Sequence, residues 1–167
     1  NTMVALWKRA KKDVKQEEYD EFYKHLTHDW EGPFETIPFS GEGQVEFKAL
    51  LFLPKKATME LFMPQQRHGL SLYVRNVFIG DDIEMLLPGY LRFVRGVVDS
   101  SDLTLNISRE TLQRNSQLRA IANKVEKKIT SELEKMRDND RDDYELFWDN
   151  FGRSIKFGIY TSYGAKA

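Results

Sequence analysis

Apolar residues along this chain repeat with two periods, and the switch between them near residue 116 sets its organisation. From Gly96 to Asn115 a β-type run (Val97, Val98) passes into alternation at Leu103, Leu105 and Ile107. Pinning every second residue to a core is the pattern of a half-buried strand or extended segment. Asp99, Ser100, Ser101, Asp102 and Asn106 are turn and cap formers, so the predicted path is bent. The stretch ends in Ser108-Arg109-Glu110-Thr111-Leu112-Gln113, just ahead of a helical pattern. A pinned loop of that kind can present a guanidinium to an anion.

Elsewhere the periods predict ordinary elements. Tyr19, Phe22, Tyr23 and Leu26 fall three and four apart, which predicts an amphipathic helix over about 14–28. Asp13 with Gln16 resembles a capping box at its start, and Gly32-Pro33 lies beyond its end. Residues 1–12 read as a linker with one aromatic foothold, Trp7. Thr36–Phe39 suits a short extended piece, and Gly41-Glu42-Gly43 a turn. Gln44–Leu53 suits a strand with Val45, Phe47, Ala49, Leu51 and Leu53 on one face. Pro54 ends it, and 55–69 is a loop unusually rich in Met59, Leu61, Phe62 and Met63. Leu70–Ile79 alternates as one further strand, and Gly80-Asp81-Asp82 turns the chain. Ile83–Val94 contains Pro88, which suits a first helical turn.

From 116 onward Leu118, Ile121, Val125, Ile129, Leu133 and Met136 step by three or four, predicting a long amphipathic helix. Asp138-Asn139-Asp140 breaks it. Asp142 and Asp143 suit the start of another helix through the macrodipole, with Tyr144, Phe147, Trp148 and Phe151 on one side. After Gly152 the pattern of Ile155, Phe157 and Ile159 fades and predicts nothing definite. The chain is thus expected to be a mixed α/β (α+β) unit over 1–115 followed by a helical unit over 116–167.

The composition agrees with a folded chain: of 167 residues, 41% are hydrophobic and 31% charged. Basic and acidic residues balance at 25 and 26, which gives no argument for nucleic acid or membrane surfaces. Without cysteine there is no disulfide or thiolate chemistry. No apolar run approaches a membrane span, and the first residues have no signal-peptide layout. An opening without Met and an uncapped end lead one to expect a piece of a longer protein.

Candidate chemistry centres on Arg109. A guanidinium on an ordered loop can neutralise charge on a transferring phosphoryl group, worth roughly a thousandfold in rate. Gln113 could orient the same group or a water. The plain alternative is a surface arginine paired with Glu110 or a helix end. No GxxxxGK[ST] and no strand-following GxGxxG occurs, so the chain holds no phosphate cradle for Arg109 to act upon. His25, His28 and Asp29 form an H-x-x-H-D cluster with no obvious third ligand, and His68 stands alone; surface histidines account for both. Ser100-Ser101 has no histidine nearby to serve a triad. Trp30 and the Met59–Met63 run suit promiscuous contact with apolar chains, or equally the capping of a core.

Val97-Val98-Asp99-Ser100-Ser101-Asp102-Leu103, Leu105-Asn106-Ile107-Ser108-Arg109-Glu110 and Leu112-Gln113 together resemble the middle domain of the heat-shock protein 90 family, of bacterial type. So do Ala5-Leu6-Trp7, Glu17-Glu18-Tyr19, Phe22-Tyr23-Lys24, Asp29-Trp30, Leu72-Tyr73-Val74-Arg75, Val77-Phe78-Ile79 and Tyr90 to Gly96. The resemblance covers nearly the whole chain. It implies a mixed-sheet layer unit similar to the ribosomal protein S5-like fold, followed by a small helical coil or bundle. It implies an ATP-driven dimeric chaperone of the cytoplasm in which Arg109 and Gln113 are catalytic, reaching ATP and Mg2+ held by a separate N-terminal domain. This chain itself would bind no cofactor and hydrolyse nothing alone.

The same resemblance implies that Phe78, Leu103 and Leu105 dock the nucleotide domain, while Trp30, Met59 and Phe62 touch unfolded client proteins. Co-chaperones and a second copy, joined through a C-terminal domain, complete the expected partners; nucleic acid and membrane do not feature. A non-catalytic interaction module with a purely structural Arg109 loop is the competing reading. An independent nucleotide hydrolase is disfavoured by the missing phosphate loop.

Overall fold

The computed structural model describes residues 5–43, 45–56, 69–81, 83–103 and 115–161. They form three helices, α1 (Gln16–Thr27), α2 (Ser116–Asn139) and α3 (Arg141–Thr161). Five strands, β1 (Glu35–Gly41), β2 (Phe47–Leu53), β3 (Leu70–Val74), β4 (Val77–Gly80) and β5 (Arg95–Ser100), make one sheet in the order β1-β2-β5-β3-β4. All neighbours are antiparallel except β3 and β5, which run parallel with Leu72 beside Val98. The mixed sheet and terminal helices are the α/β class expected from the periodicities.

The sheet is the middle of three layers. Phe47, Ala49, Leu51 and Leu53 of β2 pack with Leu70, Leu72, Val74 and Val98 into a large core closed by Leu118, Ile121, Val125 and Ile129 of α2 and by Phe147 and Phe151 of α3. The opposite face carries Leu50, Phe52 and Val97 against Tyr19 and Tyr23 of α1 and Val14. The predicted one-sided face of β2 therefore exists, and its other face is buried as well. Strands covered on both sides read as near-continuous apolar runs, and Phe47-Lys-Ala-Leu-Leu-Phe-Leu53 is one.

Several expectations change. Leu70–Ile79 is not one strand but the hairpin β3–β4, because Arg75 and Asn76 both take left-handed φ (51° and 69°) and reverse the chain in two residues. Positive φ at both central residues is the turn whose twist matches flanking strands, and Asn tolerates it well. Ile83–Val94 is two 3-10 turns, Glu84–Leu86 and Gly89–Leu91, with Pro88 immediately before the second. The start of α1 is held not by Asp13 and Gln16 but by Glu18, whose carboxylate accepts from the Lys15 N–H (2.9 Å) and from Arg9 (3.0 Å). That backbone bond, and then the Arg9 bond, hold the Glu18 carboxyl below its ordinary range.

Where the apolar pattern fades after Gly152, α3 continues to Thr161. Its register is kept by Phe147 and Phe151 against Phe93, the latter pair stacked at 4.5 Å. Gly158 lies against the second 3-10 turn: a Cβ there would stand 2.2 Å from the Tyr90 Cα. This close backbone approach, with Ile155 against the core, holds the helix there. Tyr90 in turn hydrogen-bonds Glu126 of α2.

Gly96, second in β5, has φ 144°, and a Cβ there would sit 2.1 Å from the Leu50 carbonyl oxygen. Gly96→Ala should therefore destabilise the protein by about 3 kcal/mol or more, read as a lowered urea midpoint. The phenols of Tyr23 and Tyr90 are both held well above the usual tyrosine range. Burial is the main cause in each, followed by the Asp29 charge for Tyr23 and the Glu126 bond for Tyr90. Above about pH 10 the unfolded chain releases phenolic protons that the folded chain retains, so stability should fall as pH rises. Tyr90→Phe should flatten that alkaline slope in urea titrations.

Candidate functional site: the frame around residues 104–114

Arg109, Gln113 and Leu105, with Ile107, lie outside the described residues, as do Met59, Phe62 and His68. What the structure defines is the ground on either side of the stretch that carries Arg109. On the leading side β5 ends at Ser100, and Leu103 is 1% exposed in the large core. On the trailing side Asn115 caps α2, its side-chain oxygen accepting from the Leu118 N–H at 3.0 Å. Leu118 is fully buried in the same core as Leu103. Both ends of the stretch are thus anchored in one packed body.

Hydrogen bonds hold the exit from β5 in shape. The Ser100 hydroxyl donates to the Glu46 carbonyl (2.9 Å) and accepts from the Asp102 N–H (3.3 Å). The Asp102 carboxylate accepts from the Glu46 N–H at 2.7 Å. Arg75, at the hairpin turn, donates to the Ser101 carbonyl at 3.4 Å. Asp99 and Ser100, expected from composition to bend the chain, are instead the last residues of β5 and are buried. The bend follows them.

Asp99 is the group that sequence reasoning passed over. Its Oδ2 accepts from the Trp7 indole N–H (3.0 Å) and the Asn76 N–H (3.2 Å), with the Lys8 ammonium at 3.7 Å. Trp7 also lies 4.8 Å from the Tyr73 ring and 6.0 Å from Phe22. The supposed linker is therefore two 3-10 turns, Leu6–Lys8 and Lys11–Asp13, the first seated on the sheet through Trp7. The one signal available beforehand was a carboxylate closing an otherwise apolar strand, Val97-Val98-Asp99. Burial, and then the Asp99 charge, push the Tyr73 phenol up. A cleft of about 310 Å³ opens beside this cluster, with Lys8, Lys48, Glu42, Glu46, Asp99 and Ser101 among its walls.

Other candidate residues fall at different places. Phe78, on β4, is 55% exposed and meets the Tyr73 ring edge-on at 5.5 Å. The β3–β4 turn and the end of β5 share one end of the sheet, Val74 pairing with Ser100. Trp30, 95% exposed, stands in the connection that leads through Phe34 to the other end, where Phe34 bonds Leu53. Phe78 and the start of the Arg109 stretch are thus brought together, and Trp30 is not with them. His28 closes α1 in the left-handed conformation, and Asp29 accepts from Tyr23 and from the Glu31 N–H. Among the described residues no group of three His, Asp or Glu side chains is placed to hold a metal, and no helix is long and apolar enough to cross a membrane.

Comparison with known proteins converges. The family model described as Hsp90 protein matches residues 1–166. The chain is 53% identical to the chaperone protein HtpG of Geobacter metallireducens over 163 residues, which is 98% of this chain and 25% of that protein. Against the chaperone protein HtpG of Rhodococcus jostii the identity is 50%, covering 96% of this chain and 25% of the relative. The chain therefore spans about a quarter of the length of these relatives. In three dimensions it is similar to the middle domain of a Plasmodium falciparum heat shock protein, with TM-score 0.79 and 27% identity, covering 93% of this chain and 60% of that one.

Asn115→Ala should cost about 1 kcal/mol of stability through loss of the α2 cap. Urea unfolding measures it, and Asn115→Asp should retain most of the wild-type midpoint.

Proposed function

Because the chain belongs to the Hsp90 protein family, we propose that it is the middle segment of an ATP-dependent chaperone and completes a split ATPase. Arg109 is the catalytic group, reaching the terminal phosphate of an ATP·Mg2+ bound in a separate N-terminal domain, and Gln113 orients the phosphate or a water beside it. The observation that supports this most is the frame: Leu103 and Asn115 fasten both ends of the Arg109 stretch to one core. Flanks fixed in one core limit the ground from which the stretch can reach a phosphate, and electrostatic catalysis draws its strength from such preorganisation. The chain has no phosphate loop of its own, so hydrolysis depends on docking, a gating step that couples turnover to rearrangement.

The α/β unit of residues 1–115 and the helical unit of 116–167 share this work. The nucleotide domain docks on exposed Phe78 at the end of the sheet where β5 exits. Leu105 contributes to that docking surface; Leu103, expected to dock with it, is instead buried in the core, where it holds the start of the stretch. Trp30, almost wholly exposed, belongs with Met59 and Phe62 to a surface for unfolded client chains, at a distance from the ATP site. Co-chaperones use the same exposed surfaces, the full protein works in the cytoplasm, and two copies pair through a C-terminal domain.

In the full-length chaperone Arg109→Ala should lower ATP turnover about a thousandfold while leaving ATP affinity unchanged. Turnover equal to wild type would leave the chain a non-catalytic interaction module. ATP hydrolysis by the isolated chain would instead make it an independent hydrolase.

A further inference from the structure

A carboxylate with a 1% exposed side chain sits near the end of a strand whose other side chains, after Arg95 at its start, are apolar or small. Burying such a charge costs several kcal/mol unless partners compensate, and a well-packed apolar side chain is often no less stable there. The position of the Asp99 partners shows what the carboxylate joins. Trp7 and Lys8 belong to the first described stretch of the chain, and Asn76 to the β3–β4 turn. All three approach the single oxygen Oδ2. In register, Asp99 is flanked by Lys48 on β2 and Tyr73 on β3, and the Lys48 ammonium donates to the Lys8 carbonyl at 3.2 Å.

The same hairpin turn bonds β5 and the residue just after it. Asn76, at φ 69°, directs its N–H to Asp99, and Arg75 donates to the Ser101 carbonyl two residues on. The rings of Phe78, Tyr73, Trp7 and Phe22 follow one another at 5.5, 4.8 and 6.0 Å, so exposed Phe78 is linked through packed rings to the leading stretch and α1. Phe78 and residues 5–9 are therefore both connected, through packed rings and hydrogen bonds, to Asp99 and Ser101 at the exit of β5.

We propose that Asp99 is a positioning residue that binds the leading stretch (Trp7, Lys8) and the Phe78 hairpin to the exit of β5, so that docking of the nucleotide domain sets where the Arg109 stretch begins. This rests on the reading of Arg109 given above. A nucleotide domain preceding this chain, as that reading requires, connects through the residues that Asp99 holds. Both routes by which docking is felt, the hairpin surface and the covalent connection, meet at one carboxylate. Asp99 touches neither nucleotide nor client; it acts through the stretch that follows it.

Two variants of the full-length chaperone test this. Trp7→Phe keeps a ring against Tyr73 and Phe22 but removes the indole donor. Asp99→Asn keeps the size and an acceptor oxygen but removes the charge. Each should lower kcat for ATP about tenfold, the scale of a catalytic group displaced from its productive position, with ATP Kd unchanged and the protein still folded at the assay temperature, although its melting temperature falls. In single-turnover measurements with radiolabelled ATP, neither should add to the loss already caused by Arg109→Ala. If Asp99→Asn fails to fold, Trp7→Phe decides alone. Wild-type kcat in the folded variants, or a loss that multiplies with that of Arg109→Ala, overturns the role of Asp99 and leaves Arg109 standing. Wild-type turnover by Arg109→Ala itself overturns the reading beneath both.

Discussion

Strands β2 and β5 lie side by side in the sheet with almost no surface left for water, and that double burial governs the molecule. Leu51, Leu53 and Val98 face the core shared with α2 and α3, while Leu50, Phe52 and Val97 face α1. Side chains alternate with period two, so a slip of one residue would exchange every occupant between the two cores. It would also carry Lys48 and Asp99, which are in register with each other, into the wholly apolar layer beneath α2. Hydrophobic burial and the cost of misplacing two charges thus select the same register. The close approach of Gly96 to the Leu50 carbonyl adds a steric condition at the other end of the same strand pair.

The described flanks of the candidate stretch are placed by that pair. The bent exit from β5 is held by Ser100, Asp102 and the Glu46 backbone, all within reach only because β2 and β5 are locked together. Leu103 enters the same core as Leu118, which begins the inner face of α2 just after the Asn115 cap. The described residues on both sides of the stretch carrying Arg109 therefore belong to one packed core. A functional side chain on a loop gains most when its supports are packed and hydrogen-bonded elements of the scaffold. The exposed aromatic surfaces divide accordingly, with Phe78 at the β5 exit and Trp30 toward the far end of the sheet.

Much of the fold was legible where burial is one-sided and regular. Leu118, Ile121, Val125 and Ile129 announced α2 because a helix with one wet face must repeat its apolar residues every three or four positions. The hairpin was illegible because Leu70–Ile79 alternates straight through Arg75-Asn76, and alternation carries no mark of where a chain reverses. Only the left-handed backbone at those two residues does so, and Arg75 is not a residue that advertises it. Residues 153–161 offered no stripe because α3 is held there partly by a glycine against the Tyr90 backbone, a contact without a side chain to read.

By itself the sequence determined the class of fold, the inward faces of β2 and α2, and the words around Arg109 that mark an Hsp90 middle domain. These are local properties: a period, a cap, a run of matching residues. Tertiary structure alone decided that Trp7, Lys8 and Asn76 meet at Asp99, since those groups are separated by as many as 92 residues in the chain. It also decided that Asp99 ends a buried strand instead of starting a turn. A charge can be buried only where partners arrive from elsewhere, and partners from elsewhere are what a linear reading does not contain.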